Sequence, residues 1–323
     1  MNEDATKRVF LSGATGFVGT RLYPRLVDRG FQVRCGSRAP QSARRRQPHC
    51  DWVKFDVEQP DSIRPALQGC DAMFYLVHQM TGGGGGDYRH RETEAALQVR
   101  RIAERAGIHR IVYLGGVRPQ GEPSEHLRSR LQVGETLRDG QVSTVELRAS
   151  MIIGAGSESW RIVRDLAARL PVMVLPKWTK TPSQPVHIDD VVQALIGALQ
   201  LEMDGSKWFD IPGPKTLTAE QILVRTARQL GHRPRRVGVP VLTPRLSSWW
   251  LRFVTEADLG VARELVDGLT SPLIAESDRF WHLIDHTNLV GFDEAARREM
   301  INASSLPAWV VERLTRRVAQ SRD

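Results

Sequence analysis

The stretch SEHLRSR, residues 124–130, holds two side chains capable of chemistry at neutral pH, His126 and Arg130. Four positions apart, they share one face of a helix. Histidine titrates near neutrality and serves as a general acid or base; arginine stays charged and can only hold an anion or a hydroxyl. His126 is thus either a proton donor or a polar residue at a helix start, and Arg130 is a contact for a bound polar group. A second stretch, LSGATGFVGT (11–20), spaces Gly13, Gly16 and Gly19 as G-x-x-G-x-x-G behind an apolar run. Gly13 permits a tight turn, Gly16 lets main chain approach a diphosphate, and Gly19 lets helix and strand pack closely. With Thr15, Phe17 and Val18 they form a loop whose N–H groups, at a helix start, suit the phosphates of a dinucleotide.

Further along, Gly36-Ser37-Arg38 ends the second apolar run with no acid where one would bind a ribose. An arginine there can stack on adenine and pair with a 2′-phosphate, which argues for NADP(H) over NAD(H). Asp56-Val57, at the end of the third run, either flanks the adenine or caps the helix that follows.

Alternating strands and helices must position these residues. KRVFLSG, FQVRCGS, DWVKFDV, CDAMFYLVH, HRIVYLGG and STVELRAS read as six buried strands. Between them FVGTRLYPRLVDRG, SIRPALQG, residues 88–106 and HLRSRLQVGETLRDG carry helical spacing, with Pro24 expected to kink the first or mark a loose turn. Apolar strands alternating with helices imply an α/β fold, a doubly wound parallel sheet covered on both faces. After about residue 155 the rhythm loosens into helices at 157–169, 189–201, 218–231 and 244–270. We therefore expect a dinucleotide domain over 1–155 and a smaller α+β cap over 156–323, with part of the sheet returning around 180–215.

Bulk composition narrows the function. A 41% hydrophobic, 25% charged chain of 323 residues is that of a globular protein. Its net charge is +8, but only six of the 45 basic residues are lysine and most arginines alternate with acids. The acid-free stretch RCGSRAPQSARRR (34–46) is the exception and reads as a basic loop. No stripe of basic residues with interleaved aromatics argues for nucleic acid as a partner. Three unpaired-looking cysteines, no leader-like start and no apolar run long enough to span a membrane point to the cytoplasm.

LSGATGFVGT, GSR, FDV, YLVHQM, the YLGGV strand, VELRASMIIGAGS and QPVHIDDV follow one another in an order that resembles the extended short-chain dehydrogenase/reductases, in particular their atypical, NmrA-like branch. The likeness is firm over residues 7–215. It implies a Rossmann domain with a small C-terminal cap and a nicotinamide near the ends of strands four to six, lined by Leu76, Val77, His78, Leu114, Gly115, Arg148, Ala149 and Ser150. Active members of that family carry Ser or Thr at the end of strand five and then Tyr-x-x-x-Lys. Here strand five ends Leu114-Gly115-Gly116, and His126 and Arg130 stand at the Tyr and Lys positions. The resemblance implies a reductase acting on a small carbonyl, quinone or enone, or else a non-catalytic NADPH-responsive sensor or assembly protein.

The remaining candidates are weaker. The glycine run 82–86 is either a lid or a solvent loop, and Tyr88 and His90 follow it as surface residues of a first helical turn. His187-Ile188-Asp189-Asp190 reads as a helix N-cap by aspartate rather than a metal site. Trp160, Trp178, Trp249 and Trp250 read as packing residues, although SSWWLRFV (247–254) would also suit an apolar cleft or a membrane surface.

Overall fold

Near-continuous burial along the central apolar runs, with alternate side chains packing into different cores, makes these segments the strands of a sheet buried on both sides. The computed structural model describes residues 7–77, 86–169, 172–231, 233–239 and 271–301. Its main sheet contains β1 (Arg8–Leu11), β2 (Gln32–Ser37), β3 (Asp51–Lys54), β4 (Ala72–Tyr75), β5 (Arg110–Gly116), β6 (Ser143–Ala149) and β11 (Lys207–Asp210). All pairings are parallel, in the order β11-β6-β5-β4-β1-β2-β3. The chain leaves β1 toward β2 on one side and returns to β4 on the other, so the ligand crevice of such sheets opens beside the C-terminal end of β1.

Helices α1 (Phe17–Asp28), α2 (Pro40–Arg46) and α7 (Ile188–Gln200) cover one face. There Leu22, Leu26, Ala43, Val191 and Leu195 meet Val9, Leu11, Phe74 and Val112. Helices α3 (Pro60–Leu67), α4 (Gly86–Ala106) and α5 (Glu125–Arg138) cover the other face. There Ile63, Val99, Val133 and Leu137 meet Phe10, Met73, Ile111 and Tyr113. Cys35, Cys50 and Cys70 are free and buried, and burial raises the pKa of the Cys35 and Cys70 thiols, which keeps them inert.

A third cluster gathers β7 (Ile152–Ile153), α6 (Glu158–Arg169), β8 (Val172–Pro176) and α8 (Ala219–Gln229) around Trp160, Met173, Ile222 and Leu230. Short pairings join β7 to β10 (Val186–His187), β9 (Pro182–Ser183) to β12 (Leu217–Thr218), and β8 to β13 (Arg235–Val239). Helices α9 (Arg279–Leu283) and α10 (Phe292–Ile301) come last, and Trp160 packs edge-on to Phe292.

Four expectations change. The basic loop is in part a helix: Pro40 starts α2 at its first turn and Ala43 anchors it in the core, so Arg44–Arg46 fall in its last turn. Pro24 lies two turns inside α1 and does not interrupt it. The third strand stops at Lys54, leaving Asp56 and Val57 beyond it. The cap of α7 is His187, whose Nδ1 accepts from the Asp189 N–H, because both aspartates already lie inside the first turn. The segment 244–270, residues 82–85 of the glycine run, Trp249 and Trp250 lie outside the described residues, as do the side chains of Tyr88 and Trp178; His90 is exposed.

Candidate functional site

Ser12 ties the end of β1 to β4: its hydroxyl donates to the Phe74 carbonyl at 2.8 Å and accepts from the Leu76 N–H at 2.9 Å. The chain then turns at Gly13, whose φ of +65° suits glycine and whose position leaves no room for a Cβ, which would stand 2.7 Å from the Leu76 carbonyl oxygen. The Gly16 N–H donates back to the Gly13 carbonyl at 2.9 Å and closes the turn. Gly16 is the N-cap of α1, provides no capping side chain, and no acid follows in the first turn. Thr15 and Gly16 are exposed, while Phe17 and Val18 are half-buried. The positive end of α1 thus faces open space beside the β1–β4 crevice, and a diphosphate fits there. Leu76 lies against the turn, Val77 packs toward the α3–α5 side, and His78 lies outside the described residues.

At the end of β2, Gly36 lies against the Phe10 and Phe55 rings, and the Ser37 hydroxyl accepts from the Ala39 N–H at 3.1 Å. Arg38 is exposed, and Lys54 Nζ holds its carbonyl at 2.8 Å. Asp56 neither caps α3 nor stands in a strand: its Oδ1 accepts from the Glu58 N–H at 3.2 Å, and Gln59 holds the N-cap position. Val57 is buried.

The Ser124 hydroxyl caps α5 by accepting from Leu127 N. Arg130 Nη2 donates to the Leu114 carbonyl at 3.1 Å, and its own carbonyl accepts from the Tyr113 hydroxyl at 3.0 Å. The helix therefore lies with its H-x-x-x-R face on the end of β5. Leu114, Gly115 and Ala149 stand at neighbouring strand ends, linked by the Val117 N–H to the Ala149 carbonyl. Burial and then the Arg130 charge push the His126 imidazole down to about 3. Its Nδ1 is closed off from solvent. His126 is neutral throughout the physiological range and carries no transferable imidazolium proton. Neither hydroxyl that might have oriented a carbonyl is idle, since Ser124 caps the helix and Ser150 donates to the Gln184 carbonyl at 2.6 Å.

The sequence reading missed Glu146. Fully buried in β6, it accepts from Arg138 Nε and Arg148 Nε, both at 2.8 Å, and so fastens α5 to the sheet. An acid and a base inside the apolar strand STVELRAS were the available signal. Among the described residues, no group of histidine, cysteine and carboxylate side chains could hold a metal.

Comparison with known proteins agrees with this geometry. Residues 13–164 match the family described as NAD(P)H-binding. The chain is 25% identical to a 3-diazoavenalumate denitrifying reductase of Streptomyces sp, over 80% of this chain and 92% of that one. It is 23% identical to the mitochondrial NADH-ubiquinone oxidoreductase 40 kDa subunit of Neurospora crassa, over 80% of this chain and 71% of that one. In fold it is similar to the triphenylmethane reductase of Citrobacter sp. complexed with NADP(H), with a TM-score of 0.70 and 17% identity over 90% of this chain and 99% of that one. A parallel sheet with its switch point at β1 and an uncapped glycine turn there accompany the NAD(P)H-binding match over residues 13–164, on a Rossmann-like α/β fold.

Proposed function

We propose that the protein is a cytoplasmic NADPH-dependent reductase whose acceptor becomes a stabilised anion on taking hydride, as a quinone or enone does. The observation that carries this reading is the pairing of a neutral His126 with a permanently charged Arg130 at the end of β5. Gly13, Thr15, Gly16, Phe17, Val18 and Gly19 would hold the diphosphate, Ser37, Arg38, Asp56 and Val57 the adenosine end, and Leu76, Val77, His78, Leu114, Gly115, Arg130 and Ala149 the nicotinamide end. When bound, the nucleotide supplies the hydride. The chain supplies position and charge: Arg130 neutralises the developing oxyanion, while water delivers the proton. A simple ketone fits less well, because its alkoxide needs an acid that neither residue provides. In this reading residues 1–155, joined by α7 and β11 where the chain returns to the sheet, form the dinucleotide half, and the rest of 156–323 the substrate half. The two relatives named as reductases support it.

Steady-state oxidation of NADPH with quinones, enones and ketones tests the proposal. Quinone or enone turnover should exceed ketone turnover, persist in His126→Ala, and show no step near pH 6.5. A step at that pH, lost in His126→Ala, would make His126 the proton donor and refute the scheme. The neutral His126 also favours a second reading, a non-catalytic NADPH-responsive sensor or assembly protein, in which NADPH binds and no acceptor is turned over.

The exposed Arg38 at the end of β2, with no acid beside it in Gly36-Ser37-Arg38, supports NADP(H) over NAD(H). Calorimetric titration of Arg38→Ala should weaken NADPH about tenfold or more while moving NADH little, since a charge-assisted phosphate contact contributes about 1.5–3 kcal/mol. Equal losses for the two nucleotides would reverse the preference.

A further inference from the structure

The HIDD segment, 187–190, is a dock for the C-terminal part of the chain. Asp190 is buried and accepts from His286 Nε2 at 2.9 Å and from the Val290 N–H at 3.0 Å. Asp189 lies 3.9 Å from Arg298 of α10. Because His187 Nδ1 accepts from the Asp189 N–H, its proton sits on Nε2, which donates to Glu299 Oε1 at 3.2 Å. Glu299, with a side chain only 4% exposed, then reaches beyond the dock. Its Oε2 accepts from the Ala155 N–H and lies 3.4 Å from Arg21 Nη2.

Both of those contacts lead to the glycine loop. Arg21 is on α1, one turn past Phe17. Ala155 is the centre of a Gly154-Ala155-Gly156 turn on which the Phe17 ring rests: a Cβ at Gly154 would overlap that ring, and one at Gly156 would stand 3.2 Å from it. Phe17 in turn is the first residue of α1, next to the exposed Gly16. Burial alone would raise the Glu299 pKa, but His187, the Ala155 N–H and Arg21 together bring it below the usual carboxylate value. A charge is therefore held in a poorly solvated place where displacement of any partner is costly.

We propose that Glu299 is a positioning residue for the dinucleotide, coupling the docking of α10 to occupancy of the glycine loop through Arg21 and the 154–156 turn. The inference rests on the reading that this loop holds the nucleotide. Coupling of this kind is reciprocal: whatever orders the first turn of α1 must also tighten α10.

The experiment uses the full chain and two readouts, NADPH affinity by calorimetry and amide hydrogen exchange over 292–301 with and without NADPH. Arg225→Ala serves as the comparison, because it removes the 2.9 Å ion pair from α8 to Asp293 of α10 without touching α1. NADPH should slow exchange in 292–301, and Glu299→Ala should weaken NADPH about tenfold and abolish the protection. Arg225→Ala leaves the Glu299 contacts in place, so as long as 292–301 stays docked it should change affinity less than about twofold and keep the NADPH-dependent protection. Glu299→Gln, which keeps an acceptor for Ala155 but drops the charge facing Arg21, should fall between. Should Glu299→Ala not fold, Glu299→Gln and the wild-type exchange decide. Wild-type binding with unchanged affinity in the Glu299 variants, or exchange indifferent to NADPH, sinks the coupling alone. A wild type that binds neither NADPH nor NADH overturns the nucleotide reading as well.

Discussion

Replacing Gly19 by alanine should cost the protein at least roughly a hundredfold in NADPH affinity while leaving its far-ultraviolet circular dichroism intact. A Cβ at this position would overlap the Gly13 carbonyl oxygen and stand 2.7 Å from the Ala14 Cα. Both obstacles are main-chain atoms of the turn itself, so no rotamer change relieves them. Helix α1 must back away from the turn, and its amino-terminal N–H groups then lose their aim. Losing two charge-assisted hydrogen bonds at about 1.5–3 kcal/mol each accounts for the expected factor. Gly30 is the control, since it has φ +82° but nothing within 4 Å of an added Cβ. Gly30→Ala should lower stability through strain and leave NADPH affinity unchanged. Calorimetry that finds wild-type affinity in Gly19→Ala would remove the glycine turn from the binding site.

The turn was legible before the fold because its constraint is local. Three glycines, a preceding apolar run and a following helical period all act within ten residues, so spacing alone carries the geometry. The parallel sheet followed for a related reason: helical crossovers between short apolar runs leave few other ways to bury them. Helix α2 was not legible, since PQSARRR has one buried residue, Ala43, and no apolar stripe. Its helix depends on Pro40 at the start and on docking against β3 rather than on pattern.

The altered acid/base pair was legible as residue types but not as chemistry. Spacing put His126 and Arg130 on one helix face, yet the proton state of His126 depends on burial, which a sequence does not display. Long-range pairings were hidden altogether. Glu299 lies 112 positions from His187 and 144 from Ala155, and nothing in FDEAARREMI distinguishes it from the solvent-facing Glu294. His187 was singled out as part of a motif, but its role as cap and dock needs both its neighbours in space.

Glu146→Ala is expected to be the most destabilising single change in the sheet, at about 3–5 kcal/mol by urea unfolding, because it strands the buried Arg148 cation. Arg148 is 2% exposed, donates to both Glu146 oxygens, and stacks 4.2 Å from the centre of the Trp208 ring. Without Glu146 it keeps Asp210 nearby, whose pKa burial raises and whose Oδ2 already accepts from the Glu276 N–H. Arg138, partly exposed, can swing toward water. Gly115 and Gly134 leave the carboxylate its space: a Cβ on Gly115 would lie 3.1 Å from Oε1, and one on Gly134 would overlap the group. The hole left by alanine is therefore lined by backbone that cannot collapse. Removing both charges, as Glu146→Leu with Arg148→Met, should recover most of the loss, since a buried pair contributes little net stability over an apolar pair of similar volume. If the double variant is instead as unstable as the sum of its parts, the pair is held by more than mutual neutralisation. Because Arg138 and Gly134 belong to α5, the single variant should also loosen the helix that carries His126 and Arg130, so a lower quinone turnover in the folded fraction would accompany the lost stability.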